Sequence, residues 1–393
     1  MIRRRVIRTI TILTFLAFIL GCKGKISLSD LAHNIIHVAD TIDVDYIKHK
    51  VIAPVVINKV KRRFFIDTGS TCIISKDLQN EMKYKIVKYD SVFDAHGKTV
   101  LLPMVEIKEL KIGHYTVNNV IAYIAPEDEV QMQSYGTDGY IGSNLLHQFA
   151  ITFDMANKRI FLSTSSMGDT TSGIAMKQDE FHSPYITYKI GSFSSSMLFD
   201  SGADEFYSIS LKDYDKIKDS NHLSRLVRKG FGSFTVGTFG VAPNAEKLLL
   251  NFRDFQIGST HFREVYGYPN PTDNSRIGAK VFDYAIVTLD YINNRCYIRT
   301  EVDTIKYEFK GVWPIIPNFK DDNMIVGFVW YGGDIDSAIK VGDPIIEMNG
   351  KSTKGLTLNY FLTDTGFFKR QKITYTIKTQ QKGMKRIILS RVK

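Results

Sequence analysis

One short pattern occurs twice in this 393-residue chain, and it limits the fold more than any other feature. Phe64-Phe65-Ile66-Asp67-Thr68-Gly69-Ser70 and Ser196-Met197-Leu198-Phe199-Asp200-Ser201-Gly202-Ala203 each run an apolar strand into aspartate, a small hydroxyl residue and glycine. A carboxylate at the end of a buried strand is costly unless something uses it. Two of them in one setting suggest carboxylates built to meet. The surroundings repeat as well. Tyr140-Ile141-Gly142, Phe153-Asp154 and Arg159-Ile160-Phe161-Leu162 follow Asp67. Arg276-Ile277-Gly278, Leu289-Asp290 and Arg295-Cys296-Tyr297-Ile298 follow Asp200 in the same order. The aspartate-to-glycine separations are 75 and 78 positions, and the aspartate-to-aspartate separations 87 and 90. The chain reads as two halves built on one plan.

These residues resemble the paired Asp-Thr/Ser-Gly motifs of aspartic proteases. Tyr140-Ile141-Gly142 and Arg276-Ile277-Gly278 resemble the hydrophobic-Gly motif that this family places beneath each active-site loop. The spacing is tighter than in most pepsins and more like that of tandem retropepsin-like proteases of bacteria. The resemblance covers roughly residues 45–300. It implies a mainly β chain with a bilobal, pepsin-like or retropepsin-like double barrel. Asp67 and Asp200 would meet between the lobes of a monomer. Two carboxylates in contact cannot both ionise cheaply and share one proton; aspartic proteases are the usual example of such a pair. The ionised member takes a proton from water, and the protonated member polarises the scissile carbonyl. No metal and no cofactor is required. Thr68 and Ser201 would brace the opposite loops, and Gly69 and Gly202 would let backbone N–H groups approach the carboxylates. Ser70 would donate to a carboxylate oxygen, a bond that Ala203 cannot make. Asp94-Ala95-His96-Gly97-Lys98 is a hairpin turn between strand-like runs. The resemblance makes it a flap, with Ala95, His96 and Gly97 near substrate; an exposed turn histidine is the alternative.

Other chemistry has less support. Ser201 is not in a Gly-x-Ser-x-Gly elbow. His33 and His37 have the spacing of two helical zinc ligands, but Asn34 stands where a zinc protease needs Glu, and no third ligand is near. Asp154 and Asp290 precede turn sequences and read as structural. The formal net charge is +10, yet Lys and Arg are scattered, whereas a nucleic-acid surface would gather them on one face. Three cysteines are too few for a disulfide scaffold. Cys72 and Cys296 read as two buried thiols, with a disulfide between them left open.

Along the chain, Arg3-Arg4-Arg5 precedes the apolar run Ile10–Leu20, which is too short for an ordinary membrane span and fits a signal peptide. It ends in Ile19-Leu20-Gly21-Cys22, which resembles the lipobox of bacterial lipoproteins. Residues 1–22 would then be a lipoprotein signal peptide and Cys22 the acylated, membrane-anchoring residue. Residues 23–44 read as a tether, 45–165 as the first lobe and 173–300 as the second, joined by a Ser/Thr/Gly-rich linker. Ser75–Tyr84 predicts a short helix capped by Ser75, and Ser210–Lys229 a helix or two. Gly230–Gly240 reads as a flexible hairpin facing the cleft. Residues 308–393 resemble a PDZ domain of α+β type, chiefly through Val341-Gly342-Asp343 and the Asn349-Gly350 turn. Its peptide-binding loop would lie at Gly311-Val312-Trp313-Pro314, where Pro314 lacks an N–H.

The sequence thus leads to an aspartic endopeptidase of the bacterial cell envelope. It would be lipid-anchored outside the cytoplasm and act on a peptide or protein substrate. The alternatives are a non-catalytic peptide-binding lipoprotein using the same cleft, and a scaffold acting through the PDZ-like region. The lipobox gives the first test. Cys22→Ser is expected to release the protein from the membrane fraction or block its processing. Normal processing with unchanged membrane retention would sink the assignment.

Overall fold

The computed structural model describes residues 39–393 except 94–98, 128, 169–170, 221–222, 238–239, 322, 333–334, 336, 364–365, 367–368 and 381–382. Cys22, His33, His37, Ala95, His96 and Gly97 lie outside the described residues.

The fold is mainly β, and its two halves share one strand order. In the first, Lys50–Ile57, Val60–Asp67, Gly139–Gly142, Ile73–Ile74, Tyr115–Ile124, Thr99–Ile112 and Ile86–Phe93 follow one another across the sheet. Lys50–Ile57 also pairs with Thr99–Ile112, Val55 opposite Ile112, and curls the sheet towards a barrel. In the second half, Pro184–Ile190, Phe193–Asp200, Ser275–Gly278, Tyr207–Ser210, Thr260–Asn270, Ala245–Ile257 and Ser224–Gly232 take the same places. There Pro184–Ile190 pairs with Ala245–Ile257, Tyr188 opposite Ile257. Side chains that alternate along these strands, such as Met197 and Phe199 or Phe64 and Ile66, bury one face against the common core.

A run of strands that continues the second half's sheet, through Met176 opposite Ile186, joins the halves. Its strands run Asp40–Asp43, Arg159–Ser163, Ala150–Asp154, Ile286–Asp290, Arg295–Arg299 and Ile174–Gln178. At its centre Thr152 lies opposite Thr288, and their hydroxyls are 2.7 Å apart. Every residue of Ala150–Asp154 and Ile286–Asp290 is buried, which is why both strands are almost continuously apolar. The tether reading of residues 23–44 is corrected at its end only, because Asp40–Asp43 is an edge strand with Asp40 opposite Leu162; residues 23–38 lie outside the described residues. Only Ile42 of that strand is buried, so its sequence lacks a strand's usual apolar signature.

The helix Lys76–Met82 starts at Ser75, whose Oγ accepts from the Leu78 N–H at 3.1 Å. The longer helical reading of Ser210–Lys229 is corrected: the helix ends at Ile217, and Ser224–Gly232 is a strand. Leu223 and Leu226 have helical spacing, but the segment gains backbone partners on both sides, from Ala245–Ile257 and from Asn323–Trp330. Tertiary pairing outweighs local periodicity there. Cys72 and Cys296 are separate buried thiols. Among the described residues no helix is long and apolar enough to cross a membrane.

The C-terminal region is built onto the second half. The hairpin of Ile315–Lys320 and Asn323–Trp330 continues the second half's sheet through Gly230–Gly232, with Gly230 opposite Trp330. Ile345–Met348, Lys351–Ser352, Lys372–Thr379 and Gly383–Ser390 form a separate four-stranded sheet. The helix Leu358–Thr363 packs on the helix Gln131–Tyr135 of the first half. There the Tyr135 hydroxyl donates to the Leu362 carbonyl at 2.8 Å and Lys48 Nζ to the Phe361 carbonyl at 2.6 Å. The C-terminal region therefore touches both halves.

Gly232 is the tight point of this junction. Its φ is +125°, and a Cβ there would lie 2.2 Å from the Gly327 carbonyl oxygen. Gly232→Ala is expected to cost about 1–3 kcal/mol. The loss should fall on the C-terminal region, which holds both tryptophans, Trp313 and Trp330. Tryptophan fluorescence in a denaturant titration should then fall before the far-ultraviolet circular dichroism. Coincident transitions in the variant would refute this joint.

Candidate active site

Each aspartate ends a strand whose neighbour is parallel and short. Val60–Asp67 pairs with Gly139–Gly142, Asp67 opposite Gly142. Phe193–Asp200 pairs with Ser275–Gly278, Asp200 opposite Gly278. The identical register brings the two Asp-x-Gly loops to the same level, facing each other across the joint between the halves.

Two residues interlock the loops. The Thr68 N–H donates to Ser201 Oγ at 3.0 Å, and the Ser201 N–H donates to Thr68 Oγ1 at 3.0 Å. Each hydroxyl then donates onward, Thr68 to the Phe199 carbonyl at 2.6 Å and Ser201 to the Ile66 carbonyl at 2.8 Å. Every donor and acceptor in this buried square is paired, the condition under which a buried polar network rigidifies. Only glycine fits beside it. A Cβ on Gly69 would lie 2.4 Å from the Asp200 carboxyl carbon, and one on Gly202 2.3 Å from that of Asp67. Each carboxyl thus packs against the glycine of the opposite loop.

Their surroundings differ. Asp67 Oδ1 accepts from the Gly69 N–H at 2.9 Å. Asp200 Oδ1 accepts from the Gly202 and Ala203 N–H groups at 3.0 and 3.1 Å. Arg276 Nε lies 3.2 Å from Asp200 Oδ2. Although Asp67 keeps a partly open face, protein atoms crowd its carboxyl. That desolvation first, and the charge of Asp200 second, push its pKa up to about 7, against the pull of the Lys50 ammonium and the Gly69 N–H. Lys50, at the head of Lys50–Ile57, also donates to the Gly202 carbonyl and so crosses from one half to the other. Behind the first loop, Glu129 accepts from the Gln131 and Met132 N–H groups at 2.9 and 2.7 Å, and from the Tyr140 hydroxyl at 3.2 Å. Burial holds this carboxyl up at about 6.

Of the residues singled out in the sequence, the structure gathers Asp67, Thr68, Gly69, Asp200, Ser201 and Gly202 at one place. Ser70 is corrected. Its hydroxyl donates to the Thr71 carbonyl at 3.0 Å rather than to a carboxylate. Ala203 contributes its backbone N–H to Asp200 instead, so the missing hydroxyl leaves no gap. Asp154 and Asp290 bond their own turns, to the Asn157 side chain at 2.8 Å and the Asn293 N–H at 3.0 Å. A groove of about 360 Å³ between Thr71, Lys88, Met104 and His182 flanks the first loop, and neither aspartate lines it. Lys50, Glu129 and Arg276 went unsingled in the sequence. Arg276 carried a signal, a charge in the second copy of the repeat where the first copy has Tyr140. Lys50 and Glu129 carried none.

The raised Asp67 carboxyl has a consequence for stability. Its folded pKa exceeds the unfolded value, so stability from holding that proton is full in acid and is lost as pH rises from about 4 to about 7. Asp67→Asn keeps a neutral side chain throughout. Relative to wild type, the variant's advantage is expected to grow by roughly 2–4 kcal/mol across that window and then to stay constant above it. Denaturant titrations at pH 4, 5.5, 7 and 8.5 measure this, and a pH-independent difference would contradict the buried-proton picture.

Residues 53–145, which include the first Asp-Thr-Gly and Tyr-Ile-Gly, match the sequence model of the family described as aspartyl protease. Among solved structures, a retropepsin-like aspartic protease from Rickettsia conorii aligns at 16% identity with a TM-score of 0.24, over 32% of this chain and 88% of that one. No curated protein matches the sequence. The stretch 53–145 is thus similar to aspartyl proteases in sequence.

Proposed function

We propose that this chain is an aspartic endopeptidase with an Asp67/Asp200 dyad. One observation carries the reading: the reciprocal Thr68–Ser201 bonding that sets two carboxyl groups side by side at a partly open floor. The match of residues 53–145 to aspartyl proteases supports it.

The chemistry needs one water and one shared proton. The ionised carboxylate takes a proton from water as the water oxygen adds to the scissile carbonyl carbon. The protonated carboxyl gives its proton to the carbonyl oxygen, and a neutral gem-diol forms. The carboxyl that took the water proton then passes it to the amide nitrogen. The C–N bond breaks, a gem-diol proton returns to the other carboxyl, and acid and amine products leave. The dyad ends as it began, and this division of roles is general acid–base catalysis.

The remaining readings belong to the same proposal. Cys22 would be the acylated anchor that holds the protein to the bacterial envelope, with residues 45–393 outside the cytoplasm. Residues 308–393 would be PDZ-like. The Val312 N–H in their Gly311–Pro314 loop already donates to the Val392 carbonyl at 2.8 Å, so that amide is not free to hold a peptide's end.

The test is cleavage of a mixed peptide library by the detergent-solubilised full chain over pH 3–8. Asp67→Asn and Asp200→Asn are each expected to lower turnover at least about a thousand-fold, and the wild-type profile should be bell-shaped in pH. Full activity in either variant would exclude the mechanism. Peptide binding without cleavage by the wild type would favour the non-catalytic reading.

A further inference from the structure

The halves share their backbone register at the dyad but not their side chains. Phe65 pairs with Tyr140 in the first half, where Leu198 pairs with Arg276 in the second. Tyr140 turns its hydroxyl away to Glu129, 3.2 Å off. Arg276 instead turns toward the catalytic pair. It is only 9% exposed, its Nε lies 3.2 Å from Asp200 Oδ2, and its Nη1 lies 3.9 Å from Glu205 Oε1. The buried Nε has no aligned hydrogen-bond acceptor, so the contact with Asp200 is a pairing of charges rather than a directed bond. A guanidinium held this far from water is costly unless a carboxylate beside it stays ionised.

We propose, resting on the peptidase reading above, that Arg276 is a positioning residue that divides the labour of the dyad. It holds Asp200 as the carboxylate that accepts the water proton and leaves the shared proton on Asp67.

The contacts of the two aspartates differ, and those of Asp200 favour the charged form more. Asp200 faces the Gly202 and Ala203 N–H groups from its own loop, Arg276 from the neighbouring strand and Asp67 from the opposite loop. Glu205 and Tyr185 stand near enough to feel the charges of Arg276 and Asp200. Asp67 faces one N–H, from Gly69, and the Lys50 ammonium, which is committed to the Gly202 carbonyl. Tyr140 and Tyr291 are neutral neighbours whose ionisation the Asp67 charge opposes. Asp200 therefore has two N–H donors and a cation in contact, against one donor and a more distant ammonium for Asp67. The upward push on the Asp67 carboxyl agrees with a proton kept there.

The proposal is tested in the full chain with Arg276→Met and Arg276→Lys, each alone and combined with Asp200→Asn, and with Glu205→Gln as a control for the second carboxylate. The first readout is the thermal midpoint from pH 3 to pH 8, which needs no catalysis. Arg276→Met is expected to lose more stability at pH 8 than at pH 3, because an unpaired carboxylate is left behind. In the Asp200→Asn background that slope should fall to the part that Glu205→Gln removes, and Arg276→Lys should lose less than Arg276→Met. Equal, pH-independent losses in both backgrounds would overturn the pairing and leave Arg276 a packing residue. If Arg276→Met does not fold, the same comparison is made with Arg276→Lys.

The second readout is the pH profile of kcat/KM. The acid limb of Arg276→Met should move up by about one pH unit or more, and that of Arg276→Lys by less. An acid limb that stays in place would overturn the division of labour. A wild type that cleaves nothing would instead sink the peptidase reading, and the stability comparison would still decide whether Arg276 holds Asp200.

Discussion

Everything at the candidate site depends on the square of hydrogen bonds between Thr68 and Ser201. Each residue uses its hydroxyl twice, accepting from the other loop's N–H and donating to a carbonyl behind that loop. A hydroxyl is the smallest side chain able to do both, and the square therefore sets how far apart two like charges are held. Without it, the repulsion of two carboxylates would drive the loops apart. With it, that repulsion adds to burial in pushing the Asp67 carboxyl up.

The parts of this arrangement that were legible in the sequence are those that the duplication printed twice. Asp-Thr-Gly and Asp-Ser-Gly, each followed at matched distance by Ile-Gly, carry backbone register as well as chemistry, and register is what brings the loops level. The closing strands Arg159–Ser163 and Arg295–Arg299 were visible for the same reason. What was not legible depends on one copy only. Asp40–Asp43 is a strand because its backbone meets Arg159–Ser163, and it buries little of its own. Ser224–Gly232 is a strand because two other strands flank it, although its leucines are spaced as in a helix. Ser70 was matched by sequence to a donor role, but its hydroxyl is captured by the adjacent carbonyl, a local competition that small hydroxyl residues often settle within a residue or two.

Lys50 and Arg276 show what duplication permits. Two copies of one backbone give a pseudo-symmetric floor, and a strictly symmetric floor would treat its two carboxyls alike. In a single chain each copy is free to change its own side chains. The first places Tyr140 against Glu129 behind its loop, and the second places a guanidinium against its aspartate. The backbone supplies the geometry, and departures from the repeat supply the difference in charge.

The central sheet has a consequence of another kind. Ala150–Asp154 and Ile286–Asp290 pair with each other inside one polypeptide, and Thr152 meets Thr288 at the middle. A cleft assembled from two separate molecules exists only while they remain associated, and it comes apart as they are diluted. Here the partner segments are linked by the chain itself, so each meets the other at an effective concentration fixed by the linker and not by the amount of protein present. Alignment of the two loops is thus insensitive to dilution, and a solitary copy of the molecule carries a complete floor.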